Sequence, residues 1–403
     1  MKSRAITGIG VVSSLGIGRA EFFAAMAGGD SLATRARNLA ARETSPEAEV
    51  GVSCRSDSNG HGPELAEIPN FDAAQYLGEK GLRTLDRLSK LLLVASRLAL
   101  HDARLKRDGS WLTTDGSRVG IVVSNAYGSL EAITELDRVA TLEAARYINP
   151  ARFPLTVANS AAGYASIWED LRAMNVSVSD GNCGALDAVA CADVFLEQDR
   201  ADAVVVGGAE AISEALIGAY ERLGNLAEGA FIGEGAAMFV LESEQSARVR
   251  GADVLGTVSG YGTAFVPPER EAALVHPSST ALERAIGDAL ADANVSPNAV
   301  DMTVSGLSGL RAFDEAELAA IGSVLGPKSC VVAPKLAIGE THGAGGAMGV
   351  LAALAYSNVN APTHLARGRY RGASTVLVTS MGFYGNASAL VVRNCAGSAR
   401  VER

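Results

Sequence analysis

The residues with the clearest chemical potential lie in 176–198, VSVSDGNCGALDAVACADVFLEQ, where Asn182 and Cys183 follow an Asp-Gly step. Residues 176–180 alternate apolar and polar side chains and predict a strand. Leu186, Val189, Cys191, Ala192, Val194 and Phe195 are too densely apolar for a surface helix and predict a buried one. Strand, tight turn and helix together present one side chain at a helix N-terminus, where unpaired backbone N–H groups stabilise an anion. A thiol in that position, Cys183, would gain a lowered pKa and act as a nucleophile. A carboxamide, Asn182, has no ionisable lone pair to match a thiolate. The side chain that faces the corner therefore decides what the chain does.

Around this corner strands and helices alternate in two successive sets. The first contains a strand over residues 4–12, a core helix carrying Leu88, Leu91, Leu92, Ala95, Leu98 and Ala99 on one face, and a buried strand over 119–124. A helix-compatible stretch over 129–142 follows, then an Ala/Gly-rich helix containing Trp168. The strand AVVVGGAE begins at Ala203, and another is expected over 237–241. The second set starts near Val254, with strands expected over 254–262, 302–305, 330–333, 376–379 and 389–392. One helix starts near Ser279, with Thr280 and Glu283 in capping-box spacing, and another at the glycines of 343–346. Residues 31–69 form a polar, turn-rich excursion. The two sets predict an α/β fold built from two halves, 1–250 and 251–403, each repeating the other.

Composition narrows the function classes. A chain of 403 residues with 48% hydrophobic residues can bury roughly three quarters of its unfolded surface. Charged residues are 20%, glycines number 44, and no apolar run reaches membrane-span length, so a layered cytoplasmic protein with no membrane partner is expected. Five scattered cysteines with no CxxC pair read as reduced thiols, so no metal site or cofactor is expected. A net charge of −10 without a basic cluster argues against nucleic acid.

FDAAQYLGEKGLRTLDR, FPLTVANSAAGYASI, ALDAVACADVFLEQDRADAVVVGGAE, FIGEGAAMFVLES, APKLAIGETHGAGGAMGVLAAL and SMGFYGNASALVV occur in the order and spacing of the β-ketoacyl synthases. The chain resembles that family along nearly its whole length. The resemblance implies a thiolase-like, five-layered αβαβα fold from two duplicated halves, paired as a dimer. It also implies acyl transfer from acyl carrier protein onto a cysteine, then condensation with a decarboxylated malonyl unit, assisted by two histidines.

Carried over residue by residue, the resemblance puts Asn182 at the nucleophile position, Gly306 at the first histidine and Glu340 at the second. Lys335 matches the family lysine, and Asp314 and Glu317 match the acidic residues after the first histidine. These three are expected to form a structural charge cluster, with Glu340 a new partner for Lys335. A ketosynthase fold with its catalytic set dismantled resembles the chain length factor of type II polyketide synthases, polyene-building systems included. Such a subunit pairs with an active ketosynthase in a heterodimer and shapes the tunnel in which the chain grows. The alternative is an active condensing or acyl-transfer enzyme using Cys183 with His342 and Glu340.

By the same resemblance, Tyr127, Leu130 and Ile133 are candidates for the tunnel plug, and packing of their own helix is the other role open to them. Phe383 and Tyr384 match the glycine-rich gating loop, with Tyr384 in place of a glycine. The strand 176–180 corresponds to the element that pairs across the dimer. An acidic chain is an unpromising surface for an acidic acyl carrier protein, so docking is expected mainly on the partner.

Overall fold

In this computed structural model, residues 1–28, 53–54, 64–223, 231–270, 273, 275–356, 366–367 and 374–394 are described. Most of the excursion expected over 31–69 lies outside these residues, as does Cys395. Five strands build the first sheet: β1 (Arg4–Ser13), β2 (Val119–Ser124), β3 (Asn175–Val178), β4 (Ala203–Glu210) and β5 (Gly235–Ser243). Their spatial order is β3-β2-β4-β5-β1, with β2 parallel to both β3 and β4 and the other pairs antiparallel.

The second set comprises β6 (Gly256–Phe265), β7 (Met302–Val304), β8 (Val331–Val332), β9 (Thr375–Met381) and β10 (Asn386–Asn394). Its order, β8-β7-β9-β10-β6, repeats the first in order and sense, with Ala366–Arg367 added antiparallel on the outer edge of β8. The two meet where Arg4–Ile6 of β1 pairs antiparallel with Gly256–Val258 of β6. The duplication read from the sequence is therefore a duplication of topology.

Eight helices have the following bounds: α1 (Arg87–Asp102), α2 (Leu130–Val139), α3 (Ser160–Glu169), α4 (Gly184–Glu197), α5 (Glu214–Leu223), α6 (Ser279–Asp292), α7 (Arg311–Leu325) and α8 (Gly345–Ala355). Helices α4 and α8 run between the two sheets. Helices α1 and α3 cover the outer face of the first sheet, and α6 and α7 that of the second, which gives five layers. Every residue of β4 is buried, as a strand covered on both faces requires, and its Val-rich sequence suits that position. Every residue of α8 is buried as well.

Local details depart from the sequence reading in three places. Helix α4 is buried along Leu186, Val189, Ala192 and Leu196, but Val194 is 50% exposed and Phe195 lies under the Arg200 guanidinium, so one edge faces solvent. Helix α6 is capped by Ser278, whose hydroxyl accepts from the Ala281 N–H, not through a Thr280–Glu283 box. Strand β3 ends at Val178, two residues short of the expected end, and among the described residues no strand pairs with its outer edge. Between β2 and β3 the chain leaves Leu142, Tyr147, Phe153 and Ile167 between 58% and 76% exposed, an unusual density of large apolar surface. No helix among the described residues is long and apolar enough to cross a membrane.

Candidate functional site

The corner between β3 and α4 opens on Gly181, whose φ of 55° lies in the left-handed region that favours glycine. Asn182 and Cys183 follow, both buried. The Asn182 carboxamide donates weakly to Glu340 Oε2 at 3.5 Å, and its own Oδ1 has no partner. The Asn182 carbonyl accepts from Ser380 Oγ at 2.7 Å, which ties the corner to β9 of the other sheet.

Cys183 has an environment opposite to the one its helix N-terminus suggests. Its thiol is wholly buried and donates to the Ser380 carbonyl at 3.6 Å. Burial pushes that thiol well up, and the Asp187 and Asp180 carboxyls add to the effect. His342 does not face it: Nε2 lies 3.5 Å from Tyr220 Oη, and Nδ1 has no partner. The structure therefore does not bring Cys183 and His342 together as a thiol–imidazole dyad. The thiol is engaged with the Ser380 carbonyl and the imidazole with Tyr220, and burial, not the helix terminus, sets the direction of the Cys183 shift.

Lys335 and Glu340 form a buried ion pair in which Nζ donates to both carboxylate oxygens at 2.8 Å. The His342 backbone N–H donates to the same carboxylate at 2.9 Å. Burial alone would raise Glu340, but the Lys335 charge and hydrogen bonds, together with His342, outweigh it and hold the carboxyl below its usual range. Neither Glu317 nor Asp314 hydrogen-bonds to this pair, although the Lys335 charge acts on both. Glu317 accepts from the Gly306 N–H at 2.8 Å and from Thr379 Oγ1 at 2.6 Å, and burial pushes it up to about 7. Asp314 caps the Ser308 and Gly309 N–H groups.

Above the ion pair lies an aromatic group that the sequence showed in part. Tyr127 meets His342 edge-on at 5.2 Å and 74°, while Tyr220 and Phe383 stand 5.7 and 5.9 Å from the same imidazole. Leu130 and Phe383 pack together against Leu216, Ile217, Tyr220, Ile232 and Leu310. Thus Tyr127, Leu130 and Phe383 converge. Ile133 is 40% exposed and Tyr384 42%, and both lie outside this cluster; the Tyr384 main chain pairs with His276. Burial pulls His342 down to about 4, so its ring is neutral near pH 7.

Two contributors were not singled out from the sequence. Tyr220 reaches the site from α5, and nothing in its local pattern marks it. Glu210 stands at the end of the apolar run AVVVGGAE, where a carboxyl inside a fully buried strand was a readable anomaly. It accepts from the Ala126 N–H at 2.7 Å and the Gly343 N–H at 3.3 Å, so it pins the Tyr127 loop to the His342 turn. Backbones crowd here: a Cβ on Gly208 would lie 2.1 Å from the Gly343 carbonyl oxygen.

Burial pushes Glu210 from 4.5 up to about 8. Its folded pKa is raised, so its contribution is fully present below pH 4.5 and is lost as pH rises through about 8. Stability is therefore expected to fall over that window by up to about 1.4 kcal/mol per pH unit from this group. Glu210→Gln should flatten the slope, as read by urea denaturation at a series of pH values. An unchanged slope would mean that Glu210 does not carry it.

Chemically, the corner offers the Asn182 carboxamide beside the Glu340 carboxylate, which is paired with Lys335. Among the described residues no group of His, Cys, Asp and Glu could hold a metal. Residues 2–247 match the β-ketoacyl synthase N-terminal domain and residues 255–362 the C-terminal domain of the same family. The chain is 30% identical to the tetracenomycin polyketide synthase ketoacyl synthase beta subunit of Streptomyces glaucescens, over 87% of this chain and 84% of that one. It is 26% identical to 3-oxoacyl-[acyl-carrier-protein] synthase 2 of Coxiella burnetii, over 89% and 86%. Among solved structures, the ishigamide ketosynthase/chain length factor superposes with a TM-score of 0.83 at 24% identity, covering 98% of this chain and 100% of that one.

Proposed function

The chain belongs to the β-ketoacyl synthase family, and from that premise we propose that it is a noncatalytic chain length factor. It pairs in the cytoplasm with an active ketosynthase of a type II polyketide pathway, polyene pathways included, and shapes the elongation tunnel. The observation that carries this reading is the buried Lys335–Glu340 pair beside Asn182. A carboxylate held ionised at the oxyanion position opposes the charge that a thioester reaction develops there. With no nucleophile beside it, loss of ~10⁴ to 10⁶ in rate follows.

The unpaired edge of β3 and the apolar surface between β2 and β3 support a partner on that side. A partner strand would continue the sheet, and Leu142, Tyr147, Phe153 and Ile167 would be covered in an interface above ~2,000 Å². Acyl carrier protein docks mainly on the ketosynthase, consistent with the net charge of −10 here.

Incubation with acyl carrier protein carrying a radiolabelled acyl group is expected to leave this chain unlabelled by mass spectrometry. Condensation should appear when the cognate ketosynthase is added. A covalent adduct on Cys183 would instead assign the chemistry to this chain.

A further inference from the structure

His342 is wholly buried yet adopts a φ of 44°, a conformation that non-glycine residues seldom adopt. A residue held in this way is over-determined by its surroundings, and such positions concentrate where orientation matters. What surrounds it is three aromatic rings, from Tyr127, Tyr220 and Phe383, on segments that are far apart in the chain. Tyr220 is 4% exposed, whereas Tyr127 is 39% exposed. Tyr127 thus has one edge on the imidazole and another at the surface. It follows β2, the strand beside the open edge of the sheet.

The imidazole makes few polar commitments. Nδ1 has no partner, and Nε2 has a 3.5 Å approach to Tyr220 Oη. Its main connection is the turn that carries it, fixed by Glu340 accepting from His342 N and by Glu210 accepting from Gly343 N. The ring therefore serves as a flat spacer anchored to the buried ion pair.

We infer that His342 is a positioning residue for chain-length selection: it props the Tyr127 ring from behind, so that the exposed edge of Tyr127 forms a fixed end wall of the tunnel shared with the partner. This rests on the reading of the chain as a tunnel-shaping subunit. Without the imidazole, Tyr127 can fold back into the space it vacates and the tunnel lengthens. Apolar walls discriminate sharply when they exclude an added unit and weakly when they yield.

The test is the product-length distribution made by the coexpressed complex, with copurification of both subunits as the check on assembly. His342→Gly removes the prop and relieves the left-handed backbone. It should raise the ratio of the next longer product to the normal one about tenfold or more. His342→Phe, which restores a ring, should return the distribution toward the wild type. Tyr127→Ala should shift it as far as His342→Gly does, and the double variant no further, because both remove one wall. If His342→Gly does not copurify, His342→Asn, which tolerates this backbone, makes the same comparison. A wild-type distribution from His342→Gly alongside a shifted one from Tyr127→Ala overturns the role of His342 and leaves the tunnel reading standing. Wild-type distributions from both overturn that reading as well.

Discussion

Lys335→Met is expected to cost about 3–5 kcal/mol of stability, because it leaves Glu340 as a buried charge with no counterion. The two side chains are 5% and 1% exposed, and Nζ donates to both carboxylate oxygens. What remains for Glu340 is the His342 N–H and a weak approach from Asn182. Burial, the largest single influence on Glu340 and offset mainly through Lys335, would then raise its pKa. The deficit should accordingly grow as pH rises through the carboxylate range, since deprotonation becomes the costly step. Lys335→Met/Glu340→Leu should recover most of the loss, because a buried pair exchanged for apolar groups of similar volume is often neutral. Urea midpoints at constant m-value measure all three states. A single variant within 1 kcal/mol of wild type, or a double variant no better than the single, would show that the pair does not govern this site.

Gly208→Ala should be nearly as damaging, at about 3 kcal/mol. The added methyl would lie 2.1 Å from the Gly343 carbonyl oxygen and 2.9 Å from its carbon, and neither atom belongs to a side chain that can rotate away. Relief requires β4 to separate from the turn that carries His342. Gly218→Ala in α5 is the matched control, since nothing lies within 4 Å of its Cβ. There the substitution should gain about 0.5–1 kcal/mol from helix propensity. Thermal unfolding of the two variants should move in opposite directions. Equal losses would mean that the crowding at Gly208 is accommodated and that the turn is softer than its contacts imply.

The duplicated sheet was legible because buried strands and amphipathic helices carry their periods in local sequence, and the two sets recur in the same order. Family motifs then placed Asn182, Lys335 and Glu340, and the structure brings those three together through contacts of 2.8 to 3.5 Å. What escaped was whatever depended on the third dimension. The upward shift of Cys183 comes first from its burial, to which Asp187 and Asp180 add, and both depend on how the folded corner closes over the thiol. Asp314 and Glu317 feel the Lys335 charge, yet their hydrogen bonds go to the N–H groups of Gly306, Ser308 and Gly309 and to Thr379 Oγ1, which no motif announces. Ile133 lies one turn beyond Leu130 on the same helix but is 40% exposed and outside the cluster that Leu130 joins, a difference of packing that motif matching does not resolve. Tyr220 had no marker at all, because its part in the site comes from the packing of α5.

The corner is tied to the opposite repeat twice through Ser380: its hydroxyl donates to the Asn182 carbonyl, and its carbonyl accepts from Cys183. Together with two helices sandwiched as common property of both sheets, this stitch leaves no seam along which the gene could be divided. Either repeat made alone would lack the layer that should cover one of its faces, so splitting or shuffling the protein at its internal symmetry would yield two insoluble fragments in place of two modules.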